Sequence, residues 1–220
     1  MSEKWITFDC YGTLVDWQTG FRQILHRAVG DRVDDLVGRY HTVEPEVQAE
    51  MPDATYKAVL HDTVERAAAQ ADVPIAEGDL DVLARHWGEL PLFPDTEAAL
   101  TELRNDGWKL GVLTNCDTDL FEATRRTFPV PLDTVITAED VGNYKPDLAH
   151  FTEFEKRSGA SRATWVHAAV SWWHDMEPAR ILGLRRVWVD RENSGHDAAT
   201  VTRRVTDLAG LVTVTRDSNF

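Results

Sequence analysis

Four short segments gather residue types able to do nucleophilic, acid or base chemistry. The first is Asp9-Cys10-Tyr11-Gly12-Thr13-Leu14, directly after the apolar run Trp5–Phe8. A carboxylate leaving a buried strand is costly unless it is paired or used. Gly12 permits a tight turn whose N–H groups can face an anion. The second, Thr114-Asn115-Cys116-Asp117, sets a hydroxyl and an amide ahead of a helix predicted over Leu120–Arg126. That arrangement serves either as an anion site or as a routine N-cap. In the third, Asn143-Tyr144-Lys145-Pro146, the proline holds Lys145 extended, and a helix is predicted from near Pro146. The fourth, Ser171-Trp172-Trp173-His174-Asp175, brings Asp175 into a helix predicted over Met176–Leu182. Each segment alone has an ordinary reading: a turn cap, an N-cap, a solvated lysine, a helix start. The two tryptophans wall an apolar substrate pocket or pack at a domain junction.

The elements that must position these groups read as a parallel sheet covered on both faces, because short apolar runs alternate with amphipathic helical patterns. Strands are predicted at Trp5–Phe8, Leu110–Thr114, Thr134–Thr137, Trp165–Val170 and Arg186–Val189, each followed by a polar or Gly-containing turn. The tail after Arg191 reads as a closing helix and strand. In such a sheet ligands bind at the carboxyl ends of the strands, near the reversal of strand order, where all four segments fall. Between Asp16 and Leu90 only helical periodicity is present. Phe21, Ile24, Leu25, Ala28 and Val29 form one stripe; Tyr56, Val59, Leu60, Val64, Ala67 and Ala71 a second; Leu80, Leu83, Ala84 and Trp87 a third. The expected division is a core of residues 1–15 and 91–220 with residues 16–90 as an inserted helical cap; helices simply packed on the sheet are the other reading.

The 220 residues carry a formal charge of -14, which argues against nucleic acid or an anionic membrane as partner. A small anionic substrate then needs local Arg and Lys to overcome the global field. No apolar run approaches the roughly 20 residues of a membrane span, and the N-terminus lacks a signal-peptide layout, so a cytoplasmic location is expected. Cys10 and Cys116 read as buried free thiols in a reducing compartment, a disulfide between them being the alternative. The eight histidines show no zinc-ligand spacing.

A carboxylate, a hydroxyl–amide pair, an ammonium and a second carboxylate at four successive strand ends resemble the haloacid dehalogenase superfamily, over essentially the whole chain. The resemblance implies a Rossmann-like α/β core with a helical cap inserted after the first motif. The first motif looks like that of the type II 2-haloacid dehalogenases, Asp-x-Tyr-Gly-Thr. Superfamily phosphatases carry a second Asp two positions after the nucleophile to protonate a strongly basic leaving group. Here Tyr11 stands there, and a phenol of pKa about 10 is a poor substitute, whereas a halide leaves without a proton.

By that resemblance Asp9 attacks C2 of an L-2-haloacid, and water hydrolyses the resulting ester. Lys145 keeps Asp9 ionised, Thr13 and Thr114 position the nucleophile and the substrate carboxylate, and Asn115 contacts the halide. Asp175 holds Lys145 and helps place the water. Tyr11 and Trp172 fall among the substrate-binding positions, and Arg39 best matches the halide-binding cap arginine, one residue out of register. The type II branch carries Ser-Ser-Asn in its fourth motif, which this chain lacks, leaving His174 as the candidate base. A Tyr expected after the lysine motif falls on Phe151. No cofactor is implied, and the related enzymes are commonly homodimers. The alternative is a phosphatase with Mg²⁺ on Asp9, a carbonyl near Tyr11 and Asp175; a non-enzymatic binding module would leave Asp9 dispensable.

Overall fold

The structure is a computed structural model that describes residues 3–218 and 220. By its internal contacts the chain divides into two units. A sheet unit runs to Val15, resumes over Leu92–Asn115 and continues from Phe128; a helical unit comprises Asp16–Pro91 and Cys116–Thr127.

The sheet unit holds β1 (Trp5–Phe8), β2 (Lys109–Thr114), β3 (Thr134–Thr137), β4 (Trp165–Ala169), β5 (Arg185–Val189) and β6 (Arg203–Val205). All pairings are parallel, in the order β3-β2-β1-β4-β5-β6. The chain therefore builds outward from β1 through β2 and β3, then returns to β4 on its other side. The reversal lies between β1 and β4, and the segments carrying Asp9 and Asp175 leave these two strands. Trp5 pairs with Lys109 on one side and Trp165 on the other. All of β1 and β4 is buried, as strands covered on both faces must be. One cluster joins Trp5, Leu113, Ile136 and Trp165 to Phe151 and Phe154 of the helix Ala149–Ser158. Close packing here needs glycine at 111, where an added Cβ would lie 2.8 Å from the Phe154 ring and 3.0 Å from Thr7 Cγ2.

Three predicted boundaries shift. The helix expected from Pro146 starts at Ala149, and the tail runs strand then helix, β6 preceding Leu208–Thr215. Asp175 does not open a helix: it lies inside a single π-helical turn, Trp172–Met176, ahead of the short helix Glu177–Ile181. The turn closes through Met176 N donating to Ser171 O at 3.2 Å, and such i→i+5 insertions recur at functional sites.

The helical unit contains α1 (Trp17–Val29), α2 (Val33–Glu50), α3 (Tyr56–Gln70), α4 (Val82–Arg85) and, from further along the chain, α5 (Thr118–Arg125). Asp16 caps α1 by accepting from Thr19 N at 3.1 Å, and Gly30, with φ of 58°, ends it. The predicted stripes bury Phe21, Ile24, Leu25, Val59, Leu60, Val64 and Ala67. Helix α2 matches no predicted stripe. Pro45 lies within it on the exposed side, while Leu36, Val37, Tyr40, Val43 and Val47 bury the opposite face, and that packing outweighs the lost backbone hydrogen bond. Asp117 accounts for the grouping of α5: its carboxylate accepts from Tyr56 N at 2.8 Å and Lys57 N at 2.9 Å, capping α3 alongside Thr55. Cys10 and Cys116 are both free and buried. No described helix is long and apolar enough to cross a membrane.

Candidate active site

The loop after β1 is a tight turn. Cys10 O accepts from Leu14 N at 2.8 Å and Val15 N at 3.1 Å, while Gly12 takes φ of 95°, a conformation costly for residues with a Cβ. The turn aims Thr13 Oγ1 back at Asp9 Oδ2, 3.0 Å away. Thr13 is fixed in turn: its hydroxyl accepts from Val170 N at 3.1 Å and its carbonyl from Arg191 at 2.9 Å. Asp95 holds that Arg191 guanidinium through both carboxylate oxygens, at 3.0 and 3.1 Å.

Lys145 links the two carboxylates. Its ammonium donates to Asp9 Oδ1 at 2.9 Å, Asp175 Oδ1 at 2.7 Å and the Leu113 carbonyl at 2.9 Å, so all three N–H bonds are used. Lys145 is 2 % exposed and Asp175 wholly buried, while the Asp9 side chain retains 13 % exposure. Of the three charges, the one with access to solvent is the predicted nucleophile. Burial works against every charge here. Desolvation and the nearby Asp175 push the Asp9 carboxyl up, against the pull of Lys145. At Asp175 desolvation is overcome by the Lys145 ammonium and the His167 hydrogen bond, so its carboxyl sits below the usual range. Desolvation is likewise overcome at Lys145, whose two carboxylate partners raise its pKa.

The structure thus joins Asp9, Thr13, Lys145 and Asp175 in one network. Asn115 belongs to it differently from the halide contact implied by resemblance. Its Oδ1 accepts from Lys145 N at 2.7 Å and its Nδ2 donates to Lys145 O at 3.0 Å, a two-point clamp on the lysine backbone that leaves one amide N–H. Thr114 is buried at the end of β2, its carbonyl 3.2 Å from His150 Nε2. Tyr11 is half-buried and bridges to Val15. Trp172 packs rather than lying open: it stacks on His196 at 4.6 Å and meets Trp188 edge-on at 5.1 Å. Arg39 is exposed on α2 of the helical unit.

His174 is half-buried in the π-helical turn. Ser171 Oγ accepts from its backbone N–H and lies 3.1 Å from its Nδ1. Burial, reinforced by the Lys145 charge, lowers its pKa, leaving a neutral imidazole at neutral pH. It also feels the charges of Asp175 and Asp9.

Four participants escaped the sequence reading: the Leu113 carbonyl, His167, Thr7 and Trp165. His167 Nε2 lies 3.1 Å from Asp175 Oδ1 and its Nδ1 lies 2.8 Å from Thr7 Oγ1, which accepts from Trp165 Nε1 at 2.8 Å. Period-two alternation puts Trp165 and His167 on one face of β4, a pattern that marks a polar group inside the sheet but not its partner.

The donor set bears on metal binding. In the phosphatase alternative Mg²⁺ would be held by Asp9 and Asp175, whose Oδ1 atoms both pair here with the Lys145 ammonium. Among the described residues, no three His, Cys, Asp or Glu side chains are grouped to hold a metal.

The family model of haloacid dehalogenase-like hydrolases matches residues 3–183, and the chain belongs to that family. It is 24 % identical over 226 residues to an (S)-2-haloacid dehalogenase of Pseudomonas putida, covering 94 % of this chain and 93 % of the relative. It is 25 % identical over 227 residues to a phosphatase of Mycobacterium tuberculosis, covering 96 % and 98 %. Its fold is similar to that of an L-2-haloacid dehalogenase from Xanthobacter autotrophicus solved with chloropropionic acid covalently bound, with a TM-score of 0.82, 17 % identity and coverage of 98 % and 99 %.

Proposed function

We propose that this hydrolase removes halide from a small (S)-2-haloalkanoic acid through an ester on Asp9. The observation that carries the reading is the Lys145 ammonium seated between Asp9 Oδ1 and Asp175 Oδ1. It neutralises one carboxylate without a metal and leaves Asp9 as the partly exposed nucleophile. Tyr11, two residues on, supports the choice of leaving group, because expelling a halide needs no acid there.

In the first step Asp9 Oδ2 displaces halide at C2, forming the Oδ2–C2 bond as the carbon–halogen bond breaks. Oδ1, held by Lys145, becomes the ester carbonyl oxygen. In the second step water adds to the Asp9 carbonyl carbon, and Lys145 stabilises charge developing on Oδ1. The ester then breaks to give the 2-hydroxy acid and restore the Asp9 carboxylate. One proton leaves the water. His174 is the stronger base available: its imidazole is neutral, whereas Asp175 is held below the ordinary carboxylate range. Thr13 orients Asp9, Asn115 fixes the Lys145 backbone, and Thr114, Tyr11 and Arg39 are assigned to the substrate. The buried free thiols suit the reducing cytoplasm.

The similarity to a phosphatase supports one rival, metal-dependent phosphate release. A paired assay separates them: L-2-chloropropionate with halide detection, and p-nitrophenyl phosphate, each with Mg²⁺ and with EDTA. The proposal expects halide release that EDTA leaves intact and Asp9→Asn abolishes. Phosphate release requiring Mg²⁺, without halide release, would replace it.

A further inference from the structure

Behind the Asp9–Lys145–Asp175 cluster lies a second buried chain of hydrogen bonds. Trp165, Thr7 and His167 lie within the sheet and Asp175 in the π-helical turn that follows β4, and none of the four has exposed surface. Donor and acceptor counting orients the chain. Trp165 Nε1 can only donate, so Thr7 Oγ1 accepts from it. An ionised Asp175 can only accept, so His167 carries its hydrogen on Nε2. In a neutral imidazole Nδ1 is then an acceptor, and the Thr7 hydroxyl donates to it at 2.8 Å in preference to the Val166 carbonyl oxygen at 3.5 Å. Every hydrogen points toward Asp175, the arrangement in which successive bonds strengthen one another. The Phe151 ring, edge-on at 4.9 Å, packs against the imidazole.

Asp175 is loaded unevenly. Its Oδ1 accepts from both Lys145 and His167, while its buried Oδ2 has no partner among the described residues. In the resting protein Lys145 is shared between two carboxylates. Once Asp9 becomes an ester its charge is gone, and Asp175 is the remaining anion beside the ammonium. No described residue bonded to Oδ2 then opposes a pivot of the Asp175 carboxylate that brings both oxygens onto Lys145 and draws the ammonium away from the ester carbonyl. The His167 N–H on Oδ1 opposes that pivot.

Building on the dehalogenase reading, we infer that His167, fixed by Thr7 and Trp165, is a positioning residue for the second half-reaction: it locks Asp175 so that Lys145 stays on the Asp9 carbonyl oxygen while water attacks the ester. It acts through Asp175 and touches no substrate.

The test separates the two half-reactions. Wild type, His167→Leu and His167→Gln are mixed with L-2-chloropropionate and quenched rapidly, and halide and the mass of the Asp9 peptide are followed together. In His167→Leu the ester should accumulate and its hydrolysis slow about ten- to a hundredfold, the worth of one hydrogen bond to a charged group, while the halide burst changes by less than about threefold. His167→Gln, whose amide can still donate to Asp175, should recover most of the loss. Damage to folding would lower burst amplitude without changing the ratio of the two rates. An unchanged ratio in His167→Leu, or no recovery in His167→Gln relative to it, overturns the inference. If His167→Leu does not fold, Thr7→Val, which keeps the imidazole but frees Nδ1, takes its place against the same two criteria. Absence of halide and ester in wild type would instead overturn the dehalogenase reading, and the inference with it.

Discussion

At the ends of β1 and β4, Lys145 stands between Asp9 and Asp175, each charge met by an opposite charge 2.9 or 2.7 Å away. Inside the helical unit, Tyr40 and Glu44 of α2 and Tyr56 of α3 form a second polar cluster without a cation. Glu44 Oε1 accepts from Gln48 at 2.6 Å and Tyr56 at 3.3 Å, and the buried Tyr40 hydroxyl lies beside the Tyr56 phenol. Burial pushes the Glu44 carboxyl and both phenols up. One cluster sets an ammonium against the upward push of burial on its carboxylates, while the other, with no such partner among the described residues, favours neutral forms. A buried ion pair is weak evidence of stability but leaves a group poised to react. The contrast supports the sheet unit's cluster as the seat of the proposed chemistry.

Breaking that pairing should have the largest effect. Lys145→Met leaves two carboxylates facing each other without a cation, and should cost about 3–5 kcal/mol in urea unfolding as well as turnover. Next comes acid. Asp175 is depressed, so the stability from its ionised form is present above the unfolded carboxyl pKa of about 4 and lost as pH falls through its folded value of about 2, a loss of about 2–3 kcal/mol. Glu44 has the opposite sign: its contribution is present below the unfolded pKa of about 4.3 and lost as pH rises through the raised folded value. Unfolding followed across pH should show both limbs, and Glu44→Gln should shrink only the upper one, to which the raised Asp9 also contributes. Asp117→Ala uncaps α3 and should cost about 1–2 kcal/mol, with calorimetry as the check. The smallest effect belongs to Tyr40→Phe, which removes a buried hydroxyl beside Tyr56 and should change stability by less than about 1 kcal/mol.

The sheet and its four candidate strand ends were legible because runs such as Trp5–Phe8 and Trp165–Val170 end abruptly in polar residues, and a parallel sheet puts such ends on one edge. Less legible were features that depend on partners distant in sequence. Asn115 looks like a cap or an anion ligand until Lys145 folds beside it. Asp117 looks like the start of its own helix, yet its carboxylate serves α3. His167 reads as one packed imidazole in an apolar strand; Thr7 and Asp175 give it a direction. Pro45 hid α2, whose buried face of Leu36, Tyr40, Val43 and Val47 was nevertheless present in the sequence.

The central claim, a covalent Asp9 ester, is tested most directly by a single turnover in H₂¹⁸O with enzyme in excess over L-2-chloropropionate. Mass spectrometry then locates the heavy oxygen. The account predicts ¹⁸O in the Asp9 carboxylate and ¹⁶O in the hydroxyl of the product, because that hydroxyl oxygen comes from Asp9. Heavy oxygen in the product with none in Asp9 would mean that water attacks the substrate directly, and would contradict it.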